Sequence, residues 1–292
     1  MTLLNRRRFL TISAAAFAVP AGAAAPAARW RGSALGAPAS LTIAGMTAAE
    51  AAPLFAAVEA ELSRLEDIFS LYRPQSEISR LNAAGRLTAP SPELLQVLSL
   101  CGSLHEASGG AFDPTVQSLG TGGAPAAGWR SVSVSPAEVR LTGKDAALTL
   151  NGIAQGAVTD RIAALLRSHG LRDVLVDMGE VAALGSRAPG QPWRAGIGAP
   201  DGRIFERLTL SDRTLATSAP FAPLYAGQTG RSHILPPDSS HRLRQQLVAV
   251  SAPAAAVADG LSTALCLLDE DAIQSALNRF TGARLEARQT LG

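Results

Sequence analysis

The chain has 292 residues, and 47% of them are hydrophobic. This length and apolar content allow one large domain, or two small ones, with a buried core. The formal net charge is +2, but Arg6, Arg7 and Arg8 lie together near the N-terminus, and the other residues include 23 basic and 24 acidic ones. A nearly neutral body excludes the basic surface typical of nucleic-acid-binding proteins, so we expect no nucleic acid among the partners.

The N-terminal residues have the pattern of an export signal. Residues 5–10 read NRRRFL, a twin-arginine motif, a weakly apolar run follows at residues 12–19, and the small residues 21–23 form a candidate cleavage site. The alternative is an uncleaved membrane anchor. The run is short, rich in Ala and followed by Pro20, which argues against a membrane-spanning helix. We therefore expect a signal peptide over residues 1–28 and no transmembrane anchor.

Cleavage near residues 23–28 would leave a mature domain over residues 29–292. A twin-arginine signal implies export of an already folded protein, so we expect a periplasmic location. Cys101 and Cys266 each lie in an apolar helical pattern, which predicts two buried thiols. A disulfide between them in the export compartment is an open alternative.

The first elements of the mature chain are a strand, a long helix and a polar loop. Residues 33–44 are predicted as a strand that ends at Gly45, and Thr47 is the predicted N-cap of a helix over Ala48–Phe69. Residues 69–82 read FSLYRPQSEISRLN, which predicts a surface turn followed by a short helix. Tyr72 in this turn is either a half-buried packing residue or a platform for a ligand.

A second helix and a glycine-rich segment follow. Ser91 is the predicted N-cap of a helix over Pro92–Ala107, and residues 111–115 read AFDPT directly after its end. Asp113 before a proline is either ordinary turn chemistry or a carboxylate on a rigid loop that orients a ligand. Residues 120–128 are rich in Gly, Ala and Pro, and we predict a flexible insertion there.

The central stretch, residues 148–160, reads LTLNGIAQGAVTD. Short strands are predicted before it, at residues 129–134, 138–141 and 147–150, and its alternating apolar residues give way at Asn151-Gly152 to a helical pattern. A strand that feeds a helix through a tight turn exposes backbone N–H groups at the positive end of the helix dipole, a suitable seat for a phosphate. The alternative is a turn that only connects two elements.

The C-terminal half contains further short strands and two candidate site segments. Strands are predicted at 174–184 with an interruption at 178–180, at 193–197, 205–210 and 246–251, with a turn at 201–202, and residues 215–218 precede a polar loop. His233 follows in a polar loop, as either a hydrogen-bonded surface residue or a catalytic one. In a helix predicted over 254–268, Asp259 and Thr263 share one face, an arrangement that suits Mg²⁺ or equally a solvated or capping role.

Short strands with helices before, between and after them predict an α+β fold, and not a repeating βαβ series. Several stretches together resemble the bacterial FAD:protein FMN transferase family, the ApbE-like family, and their order and spacing match it over about the whole exported chain. They are residues 69–82 (FSLYRPQSEISRLN), 110–115 (GAFDPT), 152–156 (GIAQG), 217–218 (TS), 232–235 (SHIL) and 258–263 (ADGLST).

The resemblance implies a single compact domain with a mixed, largely antiparallel sheet packed against helices. It also implies a periplasmic enzyme that binds FAD with Mg²⁺ and transfers FMN to a Ser or Thr hydroxyl of an electron-transfer protein, releasing AMP. By position, the implied nucleotide contacts are Tyr72, Ala111, Phe112, Asp113, Thr149, Gln155 and Ile234, the implied metal ligands are Gly152, Asp259 and Thr263, and the residue that helps to deprotonate the acceptor hydroxyl is His233.

The chain departs from the usual family motif at four places. The family has an Asp at the place of Thr149 and a Lys at the place of Gln155, a Gly-Gly-Asp run at the place of residues 178–180, and an Asp-Pro where this chain has Pro236-Pro237. A neutral amide replaces the charge of a lysine only by hydrogen bonding, so we expect weaker nucleotide binding or slower transfer. Two alternatives follow: a flavin-binding accessory protein of a periplasmic respiratory system that transfers nothing, and an FAD pyrophosphatase.

Overall fold

The computed structural model describes residues 26–120, 128–143, 145–198, 204–221 and 232–291. The predicted leader and the predicted insertion lie almost wholly outside these residues, and so does the turn predicted at 201–202. The strands are β1 (Ala27–Ala34), β2 (Ala37–Ala44), β3 (Arg86–Thr88), β4 (Val132–Val134), β5 (Glu138–Leu141), β6 (Val174–Asp177), β7 (Val181–Leu184), β8 (Ser186–Ala188), β9 (Gln191–Gly198), β10 (Ile204–Leu210), β11 (Arg213–Ser218), β12 (Gln245–Ala252) and β13 (Arg284–Thr290).

The helices begin at residues that satisfy their first free N–H groups. The side chains of Thr47, Ser76, Ser91 and Asp269 each accept a hydrogen bond from the first turn of the helix that follows. The α-helices are α1 (Ala48–Phe69), α2 (Glu77–Ala84), α3 (Pro92–Ala107), α4 (Gln117–Gly120), α5 (Ala154–Ser168), α6 (Ala255–Leu265) and α7 (Glu270–Asn278), and short 3-10 turns occupy Pro114–Val116 and Trp129–Ser131.

The main sheet has seven strands in the order β1-β2-β6-β7-β11-β12-β13, and every neighbouring pair is antiparallel. Side chains alternate between its two faces. Val248 and Val250 of β12 join the larger core, which α1, α3, α5 and α6 cover, whereas Leu247 and Ala249 join a smaller core with Trp193 of β9. Two three-stranded sheets, β10-β9-β8 and β3-β5-β4, complete the structure.

The predicted α+β fold with a largely antiparallel sheet and one compact domain is confirmed, but several element predictions are corrected. Residues 33–44 form a hairpin of β1 and β2, because Leu35 and Gly36 both have positive φ (50° and 78°), as a two-residue hairpin turn requires. Residues 147–150 are not a strand, and neither α7 nor β13 was predicted.

Two further expectations have structural outcomes. Cys101 and Cys266 are buried and both are free thiols, so the disulfide left open by the sequence does not form. Among the residues that the structure describes, no helix combines the length and the apolar character needed to cross a bilayer.

Candidate active site

A cleft of about 310 Å³ lies between the loops after α1 and α3, the start of α5 and the middle of α6. Its size is at the lower end of that usual for small-molecule sites. Every residue to which the sequence gave a site role lines this single cleft, although they come from five separate segments of the chain. They are Tyr72, Ala111, Phe112, Asp113, Thr149, Gly152, Gln155, His233, Ile234, Asp259 and Thr263.

Tyr72 stands at the open edge of the cleft on a braced turn. The hydroxyls of Ser76 and Ser79 both donate to the carbonyl of Ser70, at 2.6 and 3.1 Å, and the Tyr72 N–H donates to the Ser70 hydroxyl at 3.2 Å. The side chain of Tyr72 is 53% exposed. This exposure fits both roles considered from the sequence, and an open aromatic ring on a fixed turn is suited to stacking against a planar ligand.

Asp113 shapes its own loop. One carboxylate oxygen accepts the N–H of Thr115 at 2.8 Å and its hydroxyl at 2.7 Å, and the other accepts the N–H of Trp129 at 3.1 Å. The carboxylate is 8% exposed. The Asp113 side chain therefore makes the contacts of the turn-chemistry alternative, and the Phe112 N–H beside it is bonded to the Ser108 hydroxyl at 2.9 Å.

The helices α5 and α6 cap one another. The carboxylate of Asp259 in α6 accepts the N–H of Gly156 at 3.0 Å, in the first turn of α5. The carboxylate of Asp160 in α5 accepts the N–H groups of Ala255 and Ala256 at 2.7 and 2.9 Å, in the first turn of α6. Neither helix has a side-chain cap of its own, so each one supplies the anion that the other's N-terminus lacks.

This pairing corrects the expected anion seat. No strand leads directly into α5, and the N–H of Gly156 is already engaged by Asp259. A Cβ on Gly156 would overlap the carbonyl of Ala255, so glycine is needed here for the approach of two helices rather than of a ligand. Gly152, in the turn before the helix, remains in the cleft wall.

The three predicted metal ligands lie next to one another. A Cβ on Gly152 would lie 3.0 Å from the Oγ1 atom of Thr263, so the threonine packs directly on the Gly152 backbone. Asp259, one turn earlier on α6, is 4% exposed, and burial raises its pKa to about 7. Among the described residues no three His, Cys, Asp or Glu side chains form a metal-binding group. The set offers one carboxylate, one hydroxyl and backbone oxygen, which are donors of the kind that Mg²⁺ prefers.

Glu180 is a cleft residue to which the sequence gave no site role, although it lies in the run 178–180 that departs from the family motif. It follows the turn between β6 and β7, is 2% exposed, and its Oε2 atom has no hydrogen-bond partner among the described residues. Burial raises its pKa well above the ordinary value, and the nearby Asp259 and Asp177 raise it further. The hydroxyl of Thr217, also in the cleft wall, is likewise buried without a partner in the described part of the chain.

Gln155 lies over the same turn. Gly179 has φ +106°, and a Cβ there would overlap the side-chain amide of Gln155, so the amide rests on the glycine beside Glu180. A carboxamide in this position brings no positive charge to the carboxylates around it. None of the described residues that line the cleft is Lys or Arg.

His233 also lines the cleft, in the segment that follows the undescribed residues 222–231. Its N–H donates to the carbonyl of Pro220 at 3.0 Å, and Ile234 beside it is held by two hydrogen bonds to the Ser232 hydroxyl. The imidazole is accessible from the cleft, but burial by the surrounding protein lowers its pKa. The neutral, proton-accepting form is therefore favoured at pH 7.

Comparison with known proteins gives a family match. The model of the ApbE family matches residues 35–287. The chain is 29% identical over 242 residues to the FAD:protein FMN transferase of Vibrio cholerae serotype O1, covering 72% of each chain. It is 25% identical over 252 residues to the Haemophilus influenzae protein of the same name, covering 73% of this chain and 72% of that one.

Solved structures share the fold. The flavin transferase ApbE from Vibrio cholerae superimposes with a TM-score of 0.74 at 24% identity, over 87% of this chain and 91% of that chain. The apo form of the Pseudomonas stutzeri flavinyl transferase ApbE gives a TM-score of 0.71 at 26% identity, over 86% and 88% of the two chains. The sheet and its helices are therefore arranged as in these proteins.

Proposed function

The chain belongs to the ApbE family, and from that premise we propose that it is an FAD:protein FMN transferase. It binds FAD and Mg²⁺ in the cleft, moves FMN to a Ser or Thr hydroxyl of a partner protein and releases AMP. The observation that carries the proposal is the convergence of all eleven residues with predicted site roles on one cleft. The relatives named as FAD:protein FMN transferases support the same activity.

The electrostatics of the cleft support a need for a cation. A diphosphate brings negative charge to a wall that contains Glu180 and Asp259 and, among its described residues, no Lys or Arg. Bound Mg²⁺ would neutralise charge on the diphosphate as the phosphoryl group is transferred. Gly152, Asp259 and Thr263 would hold it, and such a partner would stabilise the ionised form of the buried Asp259 carboxylate, whose pKa burial raises to about 7.

His233 supplies the base. In the transfer, the acceptor hydroxyl oxygen forms a bond to the phosphorus of the FMN moiety, the phosphoanhydride bond to AMP breaks, and the hydroxyl proton moves to the imidazole. A lowered pKa keeps this imidazole neutral and able to accept the proton. Tyr72 offers its open ring to a planar part of the nucleotide, and the buried Ile234 adds apolar surface to the cleft wall.

The second candidate is a flavin-binding accessory protein that does not transfer FMN, and Gln155 is the observation that favours it. Its amide lies beside Glu180 where the family has a lysine, so this chain lacks a fixed positive charge next to the diphosphate. Hydrolysis of FAD by water in place of the protein hydroxyl is a third outcome of the same chemistry.

The location and the partner are part of the proposal. The twin-arginine motif at residues 5–10 supports export to the periplasm in a folded state. The acceptor is then an exported or membrane-bound electron-transfer protein with an accessible Ser or Thr. The cleft edge beside His233 is the place where that hydroxyl has to arrive.

One experiment separates the three candidates. The purified protein is incubated with FAD, Mg²⁺ and an acceptor fragment that bears a Ser/Thr target, and the mass of the fragment and the nucleotide products are measured. A flavin-sized mass gain with AMP release supports transfer, AMP with free FMN supports hydrolysis, and unchanged FAD that stays bound supports a carrier.

Asp259→Ala should abolish turnover, whereas Asp271→Ala, on the exposed face of α7, should leave it intact. Transfer at the wild-type rate in Asp259→Ala removes Asp259 from the proposed metal site.

A further inference from the structure

Three hydroxyls are linked at the cleft wall, where Ser218 and Thr263 line the cleft and Ser262 lies behind them. The Oγ atom of Ser218, the last residue of β11, lies 2.8 Å from Oγ of Ser262 and 3.4 Å from Oγ1 of Thr263. The Ser262 hydroxyl donates in turn to the carbonyl of Asp259 at 3.0 Å. Ser218 therefore joins a strand of the main sheet to the two α6 residues that the proposed function makes metal ligands.

Water has little access to these groups. Ser262 is 0% exposed and Ser218 is 8% exposed, and the thiol of Cys266 donates to the carbonyl of Ser262 from below. Each hydroxyl carries a single proton, so a hydroxyl that donates to one partner has only lone pairs left for the others. In a closed group of this kind the direction of one bond determines the direction of the next.

The direction of each hydrogen bond between the three hydroxyls follows from the Asp259 carbonyl, which ends the chain of bonds. Since the Asp259 carbonyl can only accept, Ser262 donates to it and accepts from Ser218. Ser218 has then used its proton, so it can only accept from Thr263. The proton of the Thr263 hydroxyl points to Ser218, and the lone pairs of that hydroxyl are left for the side that packs against Gly152 and the cleft.

We propose that Ser218 is a positioning residue for the metal: it accepts a hydrogen bond from the Thr263 hydroxyl and thereby leaves the lone pairs of that oxygen turned towards the cation. The inference rests on the proposed function, because it assumes that Thr263 is a metal ligand. Groups that orient a ligand in this way commonly change metal affinity strongly when they are removed. Ser218 needs no contact with the nucleotide to have this effect.

The test measures metal affinity rather than turnover alone. Mn²⁺ is titrated into the purified full chain, without nucleotide, and free Mn²⁺ is counted by electron paramagnetic resonance. In Ser218→Ala the dissociation constant should rise by about tenfold. Ser218→Thr retains a hydroxyl and should recover most of the affinity. The Mg²⁺ concentration that half-activates FAD turnover should shift in the same order.

The matched control is Ser251→Ala. Ser251 is also a fully buried strand serine, in β12, but its hydroxyl is bonded to Arg213 and Glu286 rather than to α6. That change should lower thermal stability and leave Mn²⁺ affinity at the wild-type value. Equal Mn²⁺ affinity in Ser218→Ala and Ser251→Ala, with both proteins less stable, means that Ser218 only packs, and this overturns the inference.

A second variant keeps the test informative if Ser218→Ala does not fold. Ser262→Ala removes the acceptor of the Ser218 proton and should weaken Mn²⁺ binding as well. Because both serines act along one chain of bonds, the double variant should lose no more affinity than the weaker-binding single variant. Additive losses contradict the ordered chain. If the wild-type protein binds no Mn²⁺, there is no metal site and the proposed function is refuted. If the wild-type protein binds Mn²⁺ and Ser218→Ala binds it equally well, only this inference is refuted.

Discussion

The reciprocal capping of α5 and α6 makes Asp160 the side chain whose removal should cost the most stability among the helix caps. Its carboxylate accepts two N–H groups of α6, from Ala255 and Ala256, at 2.7 and 2.9 Å, and Ala254 at the cap position offers no side-chain acceptor. Asp160→Ala leaves both N–H groups without these bonds in a partly buried place.

The size of the effect follows from two opposing contributions. Hydrogen bonds to a charged group contribute about 1.5–3 kcal/mol each. Burial of the carboxylate offsets part of this, and the same burial raises the pKa of Asp160 against the lowering effect of its two N–H partners. We therefore expect a net loss of about 2–3 kcal/mol in the free energy of unfolding, which corresponds to about 5–10 °C in Tm for a domain of this size.

Thermal unfolding of matched variants checks this. Asp160→Asn keeps one carbonyl acceptor and should lose about half as much stability as Asp160→Ala. Asp269→Ala is the control, since Asp269 is the exposed N-cap of α7 and accepts a single N–H, that of Ala272, at 3.2 Å. Its loss should be about 1 kcal/mol. Equal losses in Asp160→Ala and Asp269→Ala would falsify the view that the two helices depend on one another for their caps.

Three other substitutions have expected outcomes. Burial raises the pKa of Asp177 to about 6, so its ionised form is disfavoured in the folded protein and its contribution to stability falls as pH rises from about 4 to 6. Asp177→Asn should remove that fall and stabilise the apo protein at pH 7.5 by up to about 3 kcal/mol in thermal scans. A pH profile of stability that does not change in this variant contradicts the prediction. In an isolated helix, Gly156→Ala would stabilise the helical state by about 1 kcal/mol. Here the added Cβ would overlap the Ala255 carbonyl, so the variant should lose about 2 kcal/mol in the free energy of unfolding measured with denaturant. A variant more stable than the wild type refutes the close packing of α5 on α6. Gln155→Lys should tighten FAD binding in calorimetry, and unchanged affinity would mean that neighbouring groups already compensate.

Local signals in the sequence predicted most of the helices. Thr47 and Ser91 are cap residues directly before long apolar stripes, and the predicted bounds of α1 and α3 agree with the structure. The hairpin of β1 and β2 was missed because Leu35, at φ 50°, is not a residue that indicates a turn. The strand β13 alternates weakly because it lies at the sheet edge and pairs only with β12, so its charged residues gave no strand pattern.

The candidate site was predictable where it follows a helical spacing or a family motif. Asp259 and Thr263 are four residues apart, which places them on one face of α6. The contact of Thr263 with Gly152 depends on how α5 packs on α6, and no local pattern encodes that. Glu180 was missed for a related reason, since a charged residue after a strand usually indicates a solvated turn and only the tertiary structure buries it.

The mutual caps of α5 and α6 also bear on how the chain folds. The bonds of Asp160 span 95 and 96 positions, and that of Asp259 to Gly156 spans 103. Contacts this distant in sequence form late, because the conformational entropy of the long loop between them is lost before the contacts can stabilise the chain. During synthesis, α5 leaves the ribosome well before α6 does, so its first turn stays uncapped until the last part of the chain has emerged. The cleft is consequently completed only after nearly the whole chain has been made, and a truncated chain should be unable to retain nucleotide.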